Sequence, residues 1–430
     1  MRWLMSGSVP ILLGMIFSFL GTAFVARMVG PSVFGEYIFF LTWISVVALL
    51  AKSGHEWTLL KIIPGRLKIG ALGQIRYLLR RAFLAVMLRA VIGAVILIGL
   101  AVFSGRLSDP LSLVLGFALV LVLAFAELRR SWALAHRAVW LSDAPESIAK
   151  SLVLAGTVAV FVALGVDVKA GTLLALNLSI TFVTAVVATL IFLRLFAPAL
   201  LLARPEPLPR DLSDTRGVVQ SMGFAALANI SMRNLDLIML GLLVDAATLG
   251  LYAAASRLGL LAAGPIMVLD RLVAPVLAEA VDAGDPVKLE STAKRFVLLA
   301  GAGSASILGA FFMLGESIIE FSFGVNYVEG LIFALIIMTG NLVAALAGPA
   351  GVVMILGGAH RESAMITAMS ALASLALLAL FTPMYGAIGA AIATALAISL
   401  KAIISAIVVE RRLHIKTTFV LFLSAPRLNG

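Results

Sequence analysis

The chain alternates between long apolar stretches and short polar connections along its whole length. About twelve stretches are near 20 residues long and mostly apolar, which is the length that a helix needs to cross a bilayer. They cover residues 9–29, 35–54, 82–103, 111–130, 148–166 and 171–196, and then 219–243, 248–275, 294–314, 330–356, 363–382 and 386–409. The pattern predicts an all-α integral membrane protein, because a backbone polar group in lipid must find its partner within the chain.

The composition supports lipid as the solvent of this chain. Hydrophobic residues make up 62% and charged residues 13%, against roughly half and a quarter in a soluble domain. Cysteine is absent, and the four histidines show no metal-ligand spacing, so we expect no metal site and no cofactor. The first apolar stretch lacks a small-residue cleavage site, and we interpret it as the first span rather than a signal peptide.

Lysine and arginine concentrate in every second connection. The predicted outer connections contain Arg27, Arg106 and Lys169 and no other Lys or Arg. The inner connections are far richer, and the one after the second span holds Lys52, Lys61, Arg66, Lys68, Arg76, Arg80 and Arg81. This bias predicts a multi-pass protein of a bacterial cytoplasmic (inner) membrane with both termini in the cytoplasm. It also accounts for the net charge of +10 without nucleic acid as a partner.

The two halves of the chain resemble each other. A shift of about half the chain length places Phe34-Gly35-Glu36-Tyr37 on Leu249-Gly250-Leu251-Tyr252. The repeat predicts two pseudo-symmetric six-helix bundles in the same orientation, around a central cavity at the seam between them. We expect bundles at 1–196 and 218–410, a proline-rich cytoplasmic linker at 197–217, and a cytoplasmic tail at 411–430.

Several predicted spans carry charged residues, each of which costs about 2.5–3.5 kcal/mol near the centre of a bilayer. Arg233 and Asp236 lie three residues apart on one helix face and can pair. Arg27, Arg89 and Arg257 lie in other spans. Two interpretations stay open: a buried structural ion pair, or a cationic cavity in which Asp236 couples to an ion. Arg27 and Arg89 can also reach water from their positions. Arginines in excess predict an anionic guest, and their planar donors suit phosphate.

Glycine and proline mark predicted interruptions of two helices. Pro265 and Pro275 lie in the eighth span and Pro349 in the tenth, and we expect them to act as hinges for alternating access or as static kinks. Two inner segments, 72–83 and 285–295, have amphipathic patterns. Each is expected to lie along the inner membrane surface as a gate or as a topological anchor.

No catalytic set is found in the sequence. A Walker lysine loop is absent, and the predicted outer loops are too short to hold an extramembrane active site. We therefore expect a protein that is not an enzyme and that uses an ion gradient, the membrane potential or passive exchange.

Three motifs resemble those of a known family. They are VARMVGPSVFGEY (Val25–Tyr37), LDLIMLGLLVDAATLGLYAAASRL (Leu235–Leu258) and APVLAEAVDAGD (Ala274–Asp285). They resemble the O-antigen and exopolysaccharide flippases of the multidrug/oligosaccharidyl-lipid/polysaccharide exporter superfamily. The resemblance implies two six-helix bundles around a central cavity and an undecaprenyl-diphosphate-linked oligosaccharide as cargo. Arg27, Asp236 and Arg257 match charged positions of its motifs.

The resemblance also implies partners, and other functions stay open beside it. We expect a lipid-linked oligosaccharide diphosphate and membrane lipids as ligands, with a polysaccharide polymerase or glycosyltransferases as protein partners. A multidrug-type exporter of small organic ions with the same fold, or a non-transporting membrane scaffold, are the alternatives. A sugar polymerase or ligase is disfavoured because it needs a large outer loop.

Overall fold

The computed structural model describes residues 2–103, 110–196, 198–201, 203–209, 234–413 and 417–418. Every regular element in these ranges is helical, which confirms the all-α prediction. The chain divides into two compact units, Met1–Ile230 and Ser231–Gly430. Residues 210–233 lie outside the described part of the chain, so the exact limits of the linker stay a prediction.

The helices of each unit follow one another with short connections. In the N-terminal unit they are α1 (Arg2–Lys52), α2 (His55–Lys68), α3 (Leu72–Phe103), α4 (Pro110–Ala135), α5 (Val139–Ala144), α6 (Lys150–Ala163) and α7 (Ala170–Phe196). A π-helical turn, Pro145–Ala149, joins α5 to α6, and a 3₁₀ turn, Pro198–Leu201, follows α7. In the C-terminal unit they are α8 (Asn234–Leu243), α9 (Ala246–Asp282), α10 (Pro286–Ser322), α11 (Leu331–Ala347), α12 (Ala350–Leu356) and α13 (His360–Leu413).

The described helices include eight that are long and apolar enough to cross a membrane. Two of them, Leu13–Lys52 and Arg361–Arg412, each contain two predicted spans. Helix α4 lies at the fourth predicted span, and α8 forms the described end of the seventh. Helices therefore stand in the described part of every predicted span, and the chain is a multi-pass membrane protein.

The first two predicted spans meet at Gly30 with no loop between them. Helix α1 runs on through this point with a kink at Gly30, whose φ of 78° and ψ of 167° are not helical. A positive φ favours glycine, and Pro31 then has the fixed φ that suits the first position of a new helical segment. In the second repeat Asp245 occupies the matching position, with ψ 163°. It caps α9 because its Oδ1 accepts a hydrogen bond from the Thr248 N–H at 3.0 Å.

The two amphipathic segments are not separate surface helices. Segment 72–83 is the beginning of α3, and segment 285–295 opens α10 without a break. The helix that does lie between the second and third spans is α2, which the sequence analysis missed. Its buried residues recur at helical spacing, and this signal was present in the sequence: Thr58, Leu59, Ile62 and Ile63.

Helix α9 continues through both Pro265 and Pro275, so these prolines do not end it, and their role as hinges or kinks stays a prediction. Gly303 leaves room for the Pro265 ring, since a Cβ there would lie 2.9 Å from the Pro265 Cγ. Ser304 Oγ donates to the Ala262 carbonyl at 2.7 Å, as hydroxyls do where proline disturbs a membrane helix. The predicted interruption at Pro349 is confirmed, because Gly348 has a φ of 79° and separates α11 from α12.

One apolar core cluster of the C-terminal unit lies where α9, α10, α12 and α13 meet. Leu277, Leu289, Val353, Ile366 and Val409 are buried together in one cluster. These contacts anchor the short helix α12 even though its chain is broken at Gly348.

We expect Asp245→Ala to lower the free energy of unfolding by about 1 kcal/mol, because the α9 cap is lost. Asp245→Asn should retain most of the stabilisation, because asparagine can also cap a helix. The Thr248 hydrogen bonds hold the pKa of Asp245 below its usual value, so the charged cap stabilises the fold at neutral pH. That contribution disappears as the pH falls through the lowered pKa. Denaturation of the purified protein at neutral and acidic pH measures both effects, and equal stability of the Ala variant and the wild type would contradict them.

Candidate functional site

Asp236 is a buried carboxylate in α8 with defined hydrogen bonds. Its side chain is 9% exposed. Oδ1 accepts a hydrogen bond from the Leu237 N–H at 2.8 Å, and Oδ2 accepts one from the Tyr252 hydroxyl at 2.9 Å. Buried charge is tolerated where such donors are supplied. The predicted partner, Arg233, lies outside the described residues, so their pairing stays a prediction.

Tyr252 connects this carboxylate to a third helix. Its ring is fully buried, and its Oη lies 3.2 Å from the Thr394 Oγ1, a pair in which either atom can donate. The bridge therefore joins α8, α9 and α13. Arg257 lies five residues after Tyr252 on α9 and is exposed, and its positive charge acts on Asp236. The sequence analysis aligned Tyr252 with Tyr37 but assigned it no contact.

The N-terminal unit has an equivalent tyrosine bridge without the carboxylate. Asn177 Nδ2 donates to the Tyr37 Oη at 2.5 Å, and Thr181 Oγ1 donates to the Asn177 Oδ1 at 3.1 Å. Asn177 is the eighth residue of α7, and Thr394 is the eighth residue after the Gly386 kink in α13. The two bridges thus occupy repeat-equivalent positions.

The difference between the bridges is the residue opposite the tyrosine. Under the repeat shift Gly21 takes the place of Asp236. A Cβ at Gly21 would lie 2.9 Å from the Ser151 backbone oxygen, so a carboxylate has no room there. In the described residues, the ionisable version of the bridge belongs to the C-terminal unit.

The predicted arginines that the structure describes, Arg27, Arg89 and Arg257, occupy exposed positions in two separate units. Arg27 lies on α1 three residues before the kink, and its side chain is exposed. Arg89 on α3 is also exposed, and its Nη1 donates to the Ser53 carbonyl at 3.3 Å. Asp236 and Arg257 belong to the C-terminal unit. The structure therefore relates Arg257 to Asp236 within one unit, and the grouping of all the arginines in one cavity stays a prediction.

Arg89 also shapes the environment of His55, the first residue of α2. Burial, with Arg89 and Arg81 adding to it, lowers the pKa of His55 to about 4. The imidazole is therefore neutral at physiological pH. The sequence analysis noted His55 only as one of four scattered histidines.

A network of ion pairs connects α1, α2, α4 and α5 with the π-helical turn. We call it the ion-pair network, and it comprises Lys52, Glu56, Glu127, Arg129, Arg130, Asp143 and Glu146. Lys52 Nζ lies 2.5 Å from Glu127 and 3.0 Å from Glu56. Arg130 pairs with Asp143, and Arg129 pairs with Glu146 at 3.4 Å. The sequence analysis counted Lys52 as a charge of an inner connection and missed these partners.

The ion-pair network has a structural rather than a ligand-binding arrangement. Arg129 is 2% exposed, and its Nη1 also donates to the Leu141 carbonyl at 2.6 Å. Cations and carboxylates alternate, so the network leaves no large unbalanced charge to attract a ligand. Among the residues that the structure describes, no group of three or more His, Asp or Glu is arranged to hold a metal ion.

Comparison with known proteins identifies a matching family and solved structures with a similar fold. A family model described as polysaccharide biosynthesis protein matches residues 4–281. The lipid II flippase MurJ in an inward closed conformation has a TM-score of 0.69 and 13% identity, over 94% of this chain and 87% of that one. An inward-facing multidrug resistance MATE family transporter of the MOP superfamily has a TM-score of 0.66 and 13% identity, over 97% and 98%.

A third solved structure with a similar fold is described by the polarity of its binding pocket. It is a MOP superfamily transporter from Pyrococcus furiosus, described as having a pocket of reverse polarity, and it has a TM-score of 0.61 and 14% identity over 98% of this chain and 96% of that one. A search of curated proteins finds no match. At these identities the structural similarities establish the fold alone.

We expect Lys52→Met to lower the free energy of unfolding by about 1–3 kcal/mol, because the half-buried Glu127 would keep only Arg130, 3.9 Å away, as a cation. Lys169→Met is the matched control. Its ion pair with Asp167 is 4.0 Å long and exposed, and such pairs contribute about 0–1 kcal/mol. Denaturation in detergent micelles compares the two variants. Equal losses would show that the ion-pair network does not stabilise the unit.

Proposed function

The chain belongs to the polysaccharide biosynthesis protein family, and on that premise we propose that it is a flippase for an undecaprenyl-diphosphate-linked oligosaccharide. Family and fold are those of flippases and transporters, with lipid-linked cargo and membrane lipids as ligands. The proposed cargo crosses a bacterial cytoplasmic membrane on its way to a surface polysaccharide, either an O antigen or an exopolysaccharide. Both termini then lie in the cytoplasm, beside the glycosyltransferases that build the cargo, and a polymerase uses the product outside.

The observation that carries the proposal is the exposure of arginines within apolar helices. Arg27, Arg89 and Arg257 are exposed, although arginine on a lipid-facing helix surface is costly. Arginines that face a wet path avoid this cost and attract anions. A diphosphate suits them because each guanidinium offers paired donors to phosphate oxygens. Arg233, at a predicted position one turn before Asp236, is proposed to join them.

Asp236 is proposed to couple transport to an ion. If the carboxylate takes up a proton, Oδ2 becomes a hydrogen-bond donor when it carries the proton, and a weaker, uncharged acceptor when Oδ1 carries it. Tyr252 Oη would then direct its proton to Thr394, which lies 3.2 Å away. The charge on Asp236 is thereby linked to the contact between α9 and α13. Pro265, Pro275 and Pro349 are proposed to let their helices bend during the cycle, with Pro349 at a break that already exists.

A second candidate function has one observation in its favour. The fold is also that of a MATE transporter, with a TM-score of 0.66, so export of small organic ions is compatible with the architecture. Exposed arginines disfavour cationic cargo, because like charges repel. An organic anion would remain acceptable to them.

We expect Arg257→Ala to reduce surface polysaccharide by about tenfold, as loss of a charge-assisted phosphate contact costs about 1.5–3 kcal/mol. Asp236→Asn is expected to reduce it as well, since the amide cannot change charge. Arg271→Ala is the matched control, because it removes an exposed arginine from the same helix, α9. Polysaccharide is measured on cells with equal amounts of each variant in the membrane. Normal polymer from both Arg257→Ala and Asp236→Asn would refute the site.

The two tyrosine bridges provide a second, internally controlled test. Tyr252→Phe removes the hydroxyl donor from Asp236, so the charged carboxylate becomes less stable and the pH profile of transport should move upward. Tyr37→Phe removes an equally buried hydroxyl that faces Asn177, a group that does not ionise. The pH profile of transport by Tyr37→Phe should keep the wild-type midpoint. Transport is measured in proteoliposomes between pH 5 and 9, and equal shifts in both variants would exclude Asp236 as the coupling group.

A further inference from the structure

Helix α2 has a buried face and an exposed face. On the buried side, Leu59, Ile62 and Ile63 are at most 6% exposed. On the opposite side, exposed residues recur at intervals of four, four and three positions: Trp57, Lys61, Gly65 and Lys68. These intervals place them along one side of the helix, and we call them the α2 stripe. The stripe presents one indole and two ammonium groups, with a gap between the lysines because Gly65 has no side chain.

Large apolar side chains stand at both ends of the α2 stripe. Trp57 is 49% exposed, and Ile69, the residue after α2, is 66% exposed. The turn after Ile69 is ordered, because the Ala71 N–H donates to the Arg66 carbonyl at 3.0 Å and Gly70 supplies a positive φ of 69°. With 14 residues, α2 is too short to cross a bilayer. Apolar groups exposed on such a helix indicate a surface that contacts another molecule.

The charge of the α2 stripe is positive and unbalanced. Neither Lys61 nor Lys68 has a hydrogen bond or an ion pair with a residue that the structure describes. Glu56 is the only carboxylate in the sequence between α1 and α3, and the Lys52 ammonium lies 3.0 Å from it. The partner that fits this surface is therefore an anion with apolar parts.

The position of α2 favours a lipid over a protein as this partner. Helix α2 begins at His55, three residues after α1 ends at Lys52, and α1 contains the second predicted span. It also contacts α3 and α4, which hold the third and fourth predicted spans. A helix held this close to three spans reaches the lipid headgroups. Tryptophan is enriched at that level, and lysine lays its stem on apolar surface while its ammonium stays among polar groups.

We propose that the α2 stripe binds an anionic glycerophospholipid of the membrane that surrounds the protein. Its phosphate lies between Lys61 and Lys68, in the gap at Gly65, and Trp57 and Ile69 enter the acyl chains at the two ends of the helix. A Cβ at Gly65 would have no neighbour within 4 Å, so the gap is open. Each lysine near an anionic membrane surface contributes about a fivefold preference for it. This lipid is a resident ligand rather than the proposed cargo, and the inference does not depend on transport.

The first experiment locates α2 relative to the lipid. The chain contains no cysteine, so one spin label can be placed at Ile69→Cys and, as a reference, at Lys169→Cys, where the native side chain is 78% exposed. In phosphatidylglycerol nanodiscs the label at position 69 should collide more often with dissolved oxygen, which concentrates in lipid, than with a water-soluble nickel complex. The label at position 169 should show the opposite ratio. Equal ratios at the two positions would overturn the proposal, because α2 would then face water or another protein.

The second experiment measures which headgroup binds. Phosphatidylglycerol and phosphatidylcholine with the same fluorescent acyl chain are titrated onto the full chain in detergent micelles. The wild type should bind phosphatidylglycerol about thirtyfold more tightly, and Lys61→Gln/Lys68→Gln should lose this preference while its affinity for phosphatidylcholine is unchanged. Equal affinity of the wild type for the two lipids, or an unchanged preference in this variant, would overturn the proposal.

The matched control for the two lysines is Lys169→Gln/Lys288→Gln. It also removes two exposed lysines, but these have carboxylates 4.0 Å and 3.3 Å away. It should bind both lipids as the wild type does. Loss of the phosphatidylglycerol preference in this control would overturn the proposal, because the preference would then follow total charge rather than the α2 stripe.

Two further variants separate the phosphate contact from the apolar contact. Gly65→Leu fills the gap and should weaken the binding of phosphatidylglycerol alone, and the open space around this position lets the variant fold. Trp57→Ala removes an exposed ring and should weaken both lipids by a similar factor. Wild-type affinity for phosphatidylglycerol in both variants would overturn the placement of the lipid on the α2 stripe.

Competition with undecaprenyl diphosphate distinguishes the resident lipid from the proposed cargo. It should displace fluorescent phosphatidylglycerol no more effectively than unlabelled phosphatidylglycerol does. Displacement at far lower concentration would overturn the proposal, because the α2 stripe would then hold the cargo. A wild-type protein that shows the expected lipid preference but moves no lipid-linked oligosaccharide in proteoliposomes would support the lipid site and refute the proposed function alone.

Discussion

The structure depends on one constraint: within lipid, every backbone polar group must find its partner in the chain. Continuous helices satisfy this, and the described spans are continuous except at a few specific places. Gly30, Gly348 and Gly386 supply the positive φ values at which a helix can turn or stop. Proline alone does not produce a break, since α9 continues through two of them. The position of glycine therefore decides where these helices can change direction.

The same constraint governs the polar side chains. In the N-terminal unit, the buried Arg129 has a carboxylate beside it, that of Glu146. In both units a tyrosine hydroxyl contacts a polar side chain of the last helix of its repeat. Tyr37 contacts Asn177 on α7, and Tyr252 contacts Thr394 on α13. The C-terminal copy adds Asp236, which can change its charge, whereas close packing at Gly21 prevents this in the N-terminal copy. The two bridges therefore differ in whether the residue opposite the tyrosine can ionise.

Sequence patterns were sufficient to locate the helices, but they did not identify which polar side chains contact one another. Hydropathy located the spans because span length is set by the bilayer. The pattern could not separate a short connecting helix from the first turns of a span. Segment 72–83 was therefore predicted as a surface segment, although it begins α3, and α2 was missed. Partners such as Tyr252 for Asp236, or Glu127 for Lys52, come from helices distant in sequence and depend on packing. The exposed arginines were found because charge in an apolar stretch is visible without structure, and the role proposed for them rests on that signal.

The most direct test of the central claim is the fate of the lipid-linked oligosaccharide in a strain that lacks this protein. If the protein is the flippase, the undecaprenyl-diphosphate-linked intermediate accumulates with its sugar on the cytoplasmic side, and surface polymer is lost. The wild-type gene restores both. Normal surface polymer together with no accumulated intermediate in the deletion strain would contradict the account.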